Sequence, residues 1–138
     1  MEIIKRVLPS DDMAMRAATK YLQKTSDGFV VEATYIRRPE KHSLCVSTQV
    51  GCVIGCRFCA SGLRSDGVMF QRSLTSDEMI EECRNIAREI DFTAHPVPLT
   101  FAFMGEGEPF LNFNECVKAF HTLVTMEWPV PMKLSIST

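Results

Sequence analysis

No stretch of this 138-residue chain reaches the roughly 18 consecutive apolar residues that a membrane-spanning helix needs. The N-terminus, Met-Glu-Ile-Ile-Lys-Arg, also lacks the long apolar core of a secretory signal. Internal repeats and low-complexity segments are missing as well, which argues against a repeat array or a disordered tail. A cytoplasmic location, away from any membrane, is therefore the default expectation. In that compartment six cysteines are expected to be metal ligands or reactive thiols before they are disulfides. At 46% apolar, the chain can bury the core of one small domain.

Net charge is small but unevenly spread. Residues 1–75 carry 11 basic and 7 acidic side chains, net +4; residues 76–138 carry 4 and 10, net −6, and together they make −2. Arg37, Arg38, Lys41, Arg57, Arg64 and Arg72 bracket one cysteine-rich loop in sequence. They are either a patch for an anionic partner such as RNA or ordinary solvated arginines and lysines.

That loop reads Cys52-Val-Ile-Gly-Cys56-Arg-Phe-Cys59. Three thiols are the informative number. A 4Fe–4S cubane has four metal corners, so three cysteines leave one iron open, whereas an electron carrier normally closes all four. The rival is a structural zinc site that recruits Cys45 as a fourth ligand. Cys83 and Cys116 fall within helical patterns and are expected in the core.

The coarse pattern is of α/β class. Asp11 or Asp12 can cap a helix over 11–24, with Met13, Ala17 and Tyr21 at four-residue spacing. Asp27-Gly28 marks a turn. Phe29 to Ile36 and Leu44 to Ser47 read as strands joined by Pro39–His42. Thr75 and Glu78 have capping-box spacing before a stripe of Met79, Ile80, Cys83, Ile86, Ala87 and Ile90. Leu99 to Met104 reads as a strand covered on both faces. Asn112 or Asn114 can cap a second helix with Val117, Phe120, Leu123 and Val124 as its stripe. Met132, Leu134 and Ile136 alternate as a last strand. Strands alternating with helices imply parallel βαβ units. The cysteine loop, the turn Gly105-Glu-Gly-Glu-Pro109 and the terminal Ser137-Thr138 are then expected at one carboxyl edge of the sheet, where such folds place their sites.

These strings together resemble a known family. The Cys-x3-Cys-x2-Cys spacing after a strand, with Phe58 before the third cysteine, is similar to the radical S-adenosylmethionine superfamily. The flanks Cys45-Val-Ser-Thr-Gln-Val-Gly-Cys52, Phe70-Gln-Arg-Ser-Leu-Thr75 and Phe103-Met-Gly-Glu-Gly-Glu-Pro-Phe-Leu-Asn112 resemble its RNA adenine methyltransferases, which modify carbon 2 or carbon 8 of adenine in ribosomal or transfer RNA. The resemblance runs from about Gly28 to Thr138. It implies the first βα units of a partial radical S-adenosylmethionine barrel over residues 43–138, behind a small N-terminal helix and strand element over 1–42. It also implies a 4Fe–4S cluster on Cys52, Cys56 and Cys59, and S-adenosylmethionine chelated by the open iron and cleaved by one electron to a 5′-deoxyadenosyl radical. Gly107 and Glu108 match the motif that holds the cofactor's amino group. Ser137 matches a serine that touches the cofactor. Glu32 matches a glutamate proposed to take a proton from the substrate base; from its own surroundings in sequence it reads as a surface carboxylate. RNA is the implied substrate, and a flavodoxin or ferredoxin the implied electron donor.

The chain departs from the family pattern in several places. Glu106 stands where the family usually has a small or apolar residue, and Ala60-Ser61-Gly62 varies the run after the third cysteine. Only 44 residues precede Cys45, too few for the family's accessory domain, and no cysteine matches the family's methyl-carrying thiol. The sequence is thus expected to be a piece of a longer protein, or a short protein completed by a partner. Two other functions stay open: a radical enzyme with a different substrate, and a zinc- or cluster-binding module without catalysis.

Overall fold

The computed structural model describes residues 1–8, 18–59 and 70–138. In chain order it contains β1 (Glu2–Val7), β2 (Ala18–Lys24), β3 (Val30–Arg38), β4 (Lys41–Val46), β5 (Gln49–Val50), β6 (Arg72–Ser73), α1 (Ser76–Ala87), β7 (Leu99–Phe103), α2 (Phe113–Thr125) and β8 (Met132–Ile136). A 3-10 turn, Pro109–Asn112, leads into α2. Six strands form one sheet in the order β1-β2-β3-β4-β7-β8, and β5 and β6 make a separate two-residue ladder. The first four strands are antiparallel neighbours. β4, β7 and β8 run parallel, joined through α1 and α2. The expected α/β class with parallel βα units is therefore what forms.

The N-terminal region differs from expectation. Residues 18–24 form strand β2 rather than the end of a helix; the rest of the expected helix, 11–17, lies outside the described residues. The inward face of the strand at and just after β2 explains the misreading. Tyr21, Gln23 and Thr25 alternate as buried positions, and two of the three are polar. Gln23 donates from Nε2 to the Glu82 carbonyl at 3.2 Å and accepts from Asn85 Nδ2 at 3.0 Å, so a hydrogen-bonded amide sits where an apolar residue would have shown the strand period. β1 was not foreseen either, because its residues are mostly exposed and carry no burial pattern.

The sheet's core face packs Leu44, Val46, Leu99, Phe101 and Phe103 against both helices. α1 starts with the expected capping box: the Glu78 N–H donates to Thr75 Oγ1 at 3.2 Å, and the Thr75 N–H donates to Glu78 Oε2 at 2.9 Å. It buries Met79, Ile80, Cys83, Ile86 and Ala87 as expected, together with one acid, Glu82. Burial pushes the Cys83 thiol well up and Cys116 up to about 11, so both are core thiols, as read from their helical positions. α2 buries Cys116, Ala119 and Leu123, while Val117 and Val124 of the expected stripe are exposed. Asn112 stands at the cap position of α2 but makes no cap hydrogen bond. Its Nδ2 instead donates to the Thr48 and Leu74 carbonyls, both at 2.8 Å, pinning three segments together.

At the amino end of β4, His42 is buried. Its Nε2 donates to the His95 carbonyl at 2.8 Å, which leaves Nδ1 to accept from Tyr35 Oη at 2.8 Å. Among the described residues, no helix is long and apolar enough to cross a membrane.

Candidate functional site

Parallel pairing places three loops at one level. Val46 pairs with Phe103, and Phe103 with Ile136, so the carboxyl ends of β4, β7 and β8 are in line. The cysteine loop follows β4, the Gly105–Pro109 turn follows β7, and Ser137-Thr138 follows β8. β3 is antiparallel to β4, so its early residue Glu32 comes to the same edge.

Strand alternation then decides which side chains share a face. Leu22 pairs with Glu32, Lys20 with Thr34, and Thr34 with Cys45, so these five lie on the face away from the buried Val31, Ala33 and Leu44. With Cys59, Met104, Gly105 and Glu106 they line a cleft of about 560 Å³. Lys20 Nζ contacts Glu32 Oε1 at 2.9 Å, with both side chains about half exposed. Burial raises the Cys45 thiol above its ordinary value.

Cys52, Cys56 and Cys59 are free thiols, each half-buried, on one loop. Gly51 and Gly55 hold positive φ of 76° and 64°, which turns the backbone around the thiols where a side chain would be strained. The Cys59 N–H donates to the Cys56 carbonyl at 3.0 Å and closes the last turn. In type and number the donors fit a cluster with one open corner. Among the described residues, however, no three Cys, His, Asp or Glu side chains converge on one point. Were a cluster to bind there, the loop would have to draw its thiols inward, as metal ligands that fold with their ion do.

The turn after β7 is built tightly onto the segment after β4. A Cβ on Gly105 would lie 2.6 Å from the Val46 carbonyl carbon and 2.8 Å from the Ser47 nitrogen. Gly107 has φ +101°, and a Cβ there would lie 2.6 Å from Gln49 Cβ. The Thr48 N–H donates to the Glu106 carbonyl at 2.8 Å, and the Glu108 N–H donates to Gln49 Oε1 at 2.9 Å. Glu108 Oε1 accepts from the Phe110 N–H at 2.9 Å and from Thr138 Oγ1 at 2.8 Å. A carboxylate has about four acceptor sites, so Glu108 retains capacity for an ammonium group. Ser137 lies one residue past β8, exposed; it is its neighbour Thr138 that reaches Glu108.

The structure thus gathers Glu32, Cys59, Gly107, Glu108 and the end of β8 at one edge. Of the six basic residues, Arg57 alone among the described ones lies on the cysteine loop itself. Arg38 and Lys41 pair across the β3–β4 hairpin at the opposite edge. Arg72 is bound to Asp27 and Glu78, at 2.7 Å to each. Arg64 lies outside the described residues. Sequence reasoning missed Lys20, Ser47 and Gln49, and placed Thr138 at this edge without a role. Nothing in the spacing of Gln49 marks an amide that buttresses a turn 59 residues away.

No family model matches the chain. Among curated proteins it is 36% identical over 110 residues to a probable dual-specificity RNA methyltransferase RlmN of Aquifex aeolicus, covering 80% of this chain and 30% of that protein. A probable dual-specificity RNA methyltransferase RlmN of Clostridium botulinum is 37% identical over 126 residues, covering 91% and 33%. A crystal structure of a radical SAM methyltransferase from Sphaerobacter thermophilus superposes with TM-score 0.77 at 28% identity, covering 98% of this chain and 38% of that one. Over the part it shares with them, this chain is similar to RNA methyltransferases named RlmN and to a radical SAM methyltransferase. It spans about a third of the length of the curated relatives it matches. The similarity covers the sheet, both helices and the cleft edge, so the site geometry and the relationship concern the same part of the molecule.

Proposed function

We propose that this chain carries the cluster- and cofactor-binding part of a radical S-adenosylmethionine RNA methyltransferase acting on an adenine base at carbon 2 or carbon 8. The observation that supports the reading is the alignment of the β4, β7 and β8 carboxyl ends, which brings the cysteine loop, the Gly105–Pro109 turn and Glu32 to one edge of the sheet, where Glu32, Cys59, Gly105 and Glu106 line one cleft. Cys52, Cys56 and Cys59 would hold a 4Fe–4S cluster. Gly107, Glu108 and Ser137 would hold S-adenosylmethionine. When bound, these groups supply one-electron cleavage of a carbon–sulfur bond.

The chain's own residues do the rest. Glu108 is held from two sides, by Phe110 and Thr138, and so presents its carboxylate in a fixed place to an ammonium group. Gly107 allows the turn to lie against Gln49 with no side chain between them. Glu32 Oε1 is occupied by Lys20, which leaves Oε2 to accept a proton from a substrate carbon. The cleft's half-exposed rim suits a base presented at the end of a polynucleotide loop rather than a fully enclosed small molecule. Electrons would come from a flavodoxin or ferredoxin, and the setting would be the cytoplasm.

Anaerobic reconstitution with iron and sulfide tests the reading. A brown, broadly absorbing protein that releases deoxyadenosine after reductant and S-adenosylmethionine are added is the expected outcome. Replacing Cys56→Ala is expected to abolish both colour and release. A colourless protein holding stoichiometric zinc would favour the non-catalytic module, in which Cys45 joins the loop thiols; release without methylation of any RNA would favour another radical substrate.

A further inference from the structure

Glu82 is fully buried in the middle of the apolar stripe of α1, between Met79, Cys83 and Ile86. A position that only had to fill space would hold an apolar residue, because a buried carboxyl is costly unless it is used. Its contacts show the use. The Ser47 backbone N–H donates to both carboxyl oxygens, at 3.3 and 3.2 Å. Ser47, itself fully buried, then makes two more bonds. Its Oγ donates to the Glu32 carbonyl at 2.7 Å and accepts from the Glu106 N–H at 2.9 Å. Ser47 is thus bonded through its side chain both to the Glu32 strand and to the turn that carries Gly107 and Glu108. The approach of Gly105 to Val46 and Ser47 leaves the turn no room to settle elsewhere.

We propose that Glu82 is a positioning residue for the cleft: it holds the Ser47 peptide from beneath and through Ser47 sets the distance between the Glu32 strand and the Gly105–Glu108 turn. This rests on the reading of that cleft as the cofactor and substrate site. The groups facing Glu82 are Glu106 from the turn, Glu78 and Cys83 from its own helix, and the Ser47 N–H. Burial pushes its pKa well up against the opposing Ser47 bond, and the charges of Glu106 and Glu78 add to that. Glutamine keeps the length of the side chain and an acceptor oxygen for the Ser47 N–H without a charge, whereas leucine keeps neither acceptor.

Amide hydrogen exchange on the cofactor-free chain compares wild type with Glu82→Gln, Glu82→Leu and Ile86→Ala. Glu82→Leu is expected to speed exchange at Ser47 and Glu106 by about tenfold relative to amides of β2 and β3. Glu82→Gln is expected to restore wild-type rates, and Ile86→Ala, a core truncation on the same helix, to affect all amides alike. Wild-type rates at Ser47 and Glu106 in Glu82→Leu, or the same loss in Glu82→Gln, overturn the proposal. Should Glu82→Leu not fold, Ser47→Ala decides: the Glu106 amide loses protection while α1 keeps its own, and unchanged protection of Glu106 overturns it. On reconstituted protein, S-adenosylmethionine affinity is expected to fall about tenfold in Glu82→Leu and not in Glu82→Gln. If wild type binds no S-adenosylmethionine, the functional reading falls, and the exchange experiment still decides the role of Glu82.

Discussion

Gly105 and Gly107 show how a single missing methyl group can shape a cleft. At Gly105 the obstacle is backbone, the Val46 carbonyl and the Ser47 nitrogen; at Gly107 it is backbone conformation together with Gln49. Backbone cannot move aside as a side-chain tip can, so Gly105→Ala is expected to destabilise by about 1–3 kcal/mol. Thermal unfolding of the cofactor-free chain measures this; a melting temperature within a degree of wild type would refute the close-packing argument. Much of the site was legible at this scale. The three cysteines, Gly107 and Glu108 stand out because special backbone and soft-donor residues are uncommon in a run. Ser47, Gln49 and Glu82 were not legible, because a serine, an amide and an acid look alike in sequence whether solvated or buried. Only the partner identifies them, and their partners lie 15 to 59 residues away.

Among the elements, α1 is anchored at its start by more than its capping box. Arg72 in β6 donates Nε and Nη2 to Asp27 and Nη1 and Nη2 to Glu78, so one guanidinium joins the β2–β3 turn to the first turn of α1. Hydrogen bonds from Arg72 hold the Asp27 and Glu78 carboxyls below their ordinary values. Carboxylates lowered in this way contribute stability above their ordinary pKa and lose it as the pH falls through the folded values. Arg72→Met is therefore expected to lower the melting temperature by roughly 4–8 °C at pH 7, and by less near pH 3, where the wild type has lost much of the same contribution. An equal drop at both pH values would show that Arg72 acts through packing alone. The helices were readable because their signals are local: a cap three residues from its partner and a stripe of period 3.6. β2 was misread because its inward face is Tyr21, Gln23 and Thr25, and a polar inward face erases the hydrophobic period that reveals a strand.

For the molecule as a whole, the two edges of the parallel strands have different chemistry. The carboxyl edge carries the cleft, and the amino edge carries the Tyr35–His42–His95 chain of hydrogen bonds. Burial lowers the pKa of His42, only partly offset by its bond to the His95 carbonyl. The unfolded chain then binds the extra proton first, so this contribution is present above about pH 6.5 and is lost as pH falls through the lower folded value. Urea midpoints measured from pH 7.5 to 5 are expected to fall in wild type and to fall less in His42→Gln. Identical slopes would place the pH dependence elsewhere.

The strand order also divides the sheet by the length of chain that each pairing must close. Arg38 and Lys41 meet across a two-residue hairpin, and β2 meets β3 across a short turn, whereas His42 finds Leu99 only after 56 intervening positions. Closing short loops costs little entropy and occurs quickly; joining distant parallel strands does not. The antiparallel half can therefore assemble first and serve as the template on which β7, and then β8, dock. The cleft, made from both halves, is among the last features to exist as the chain folds.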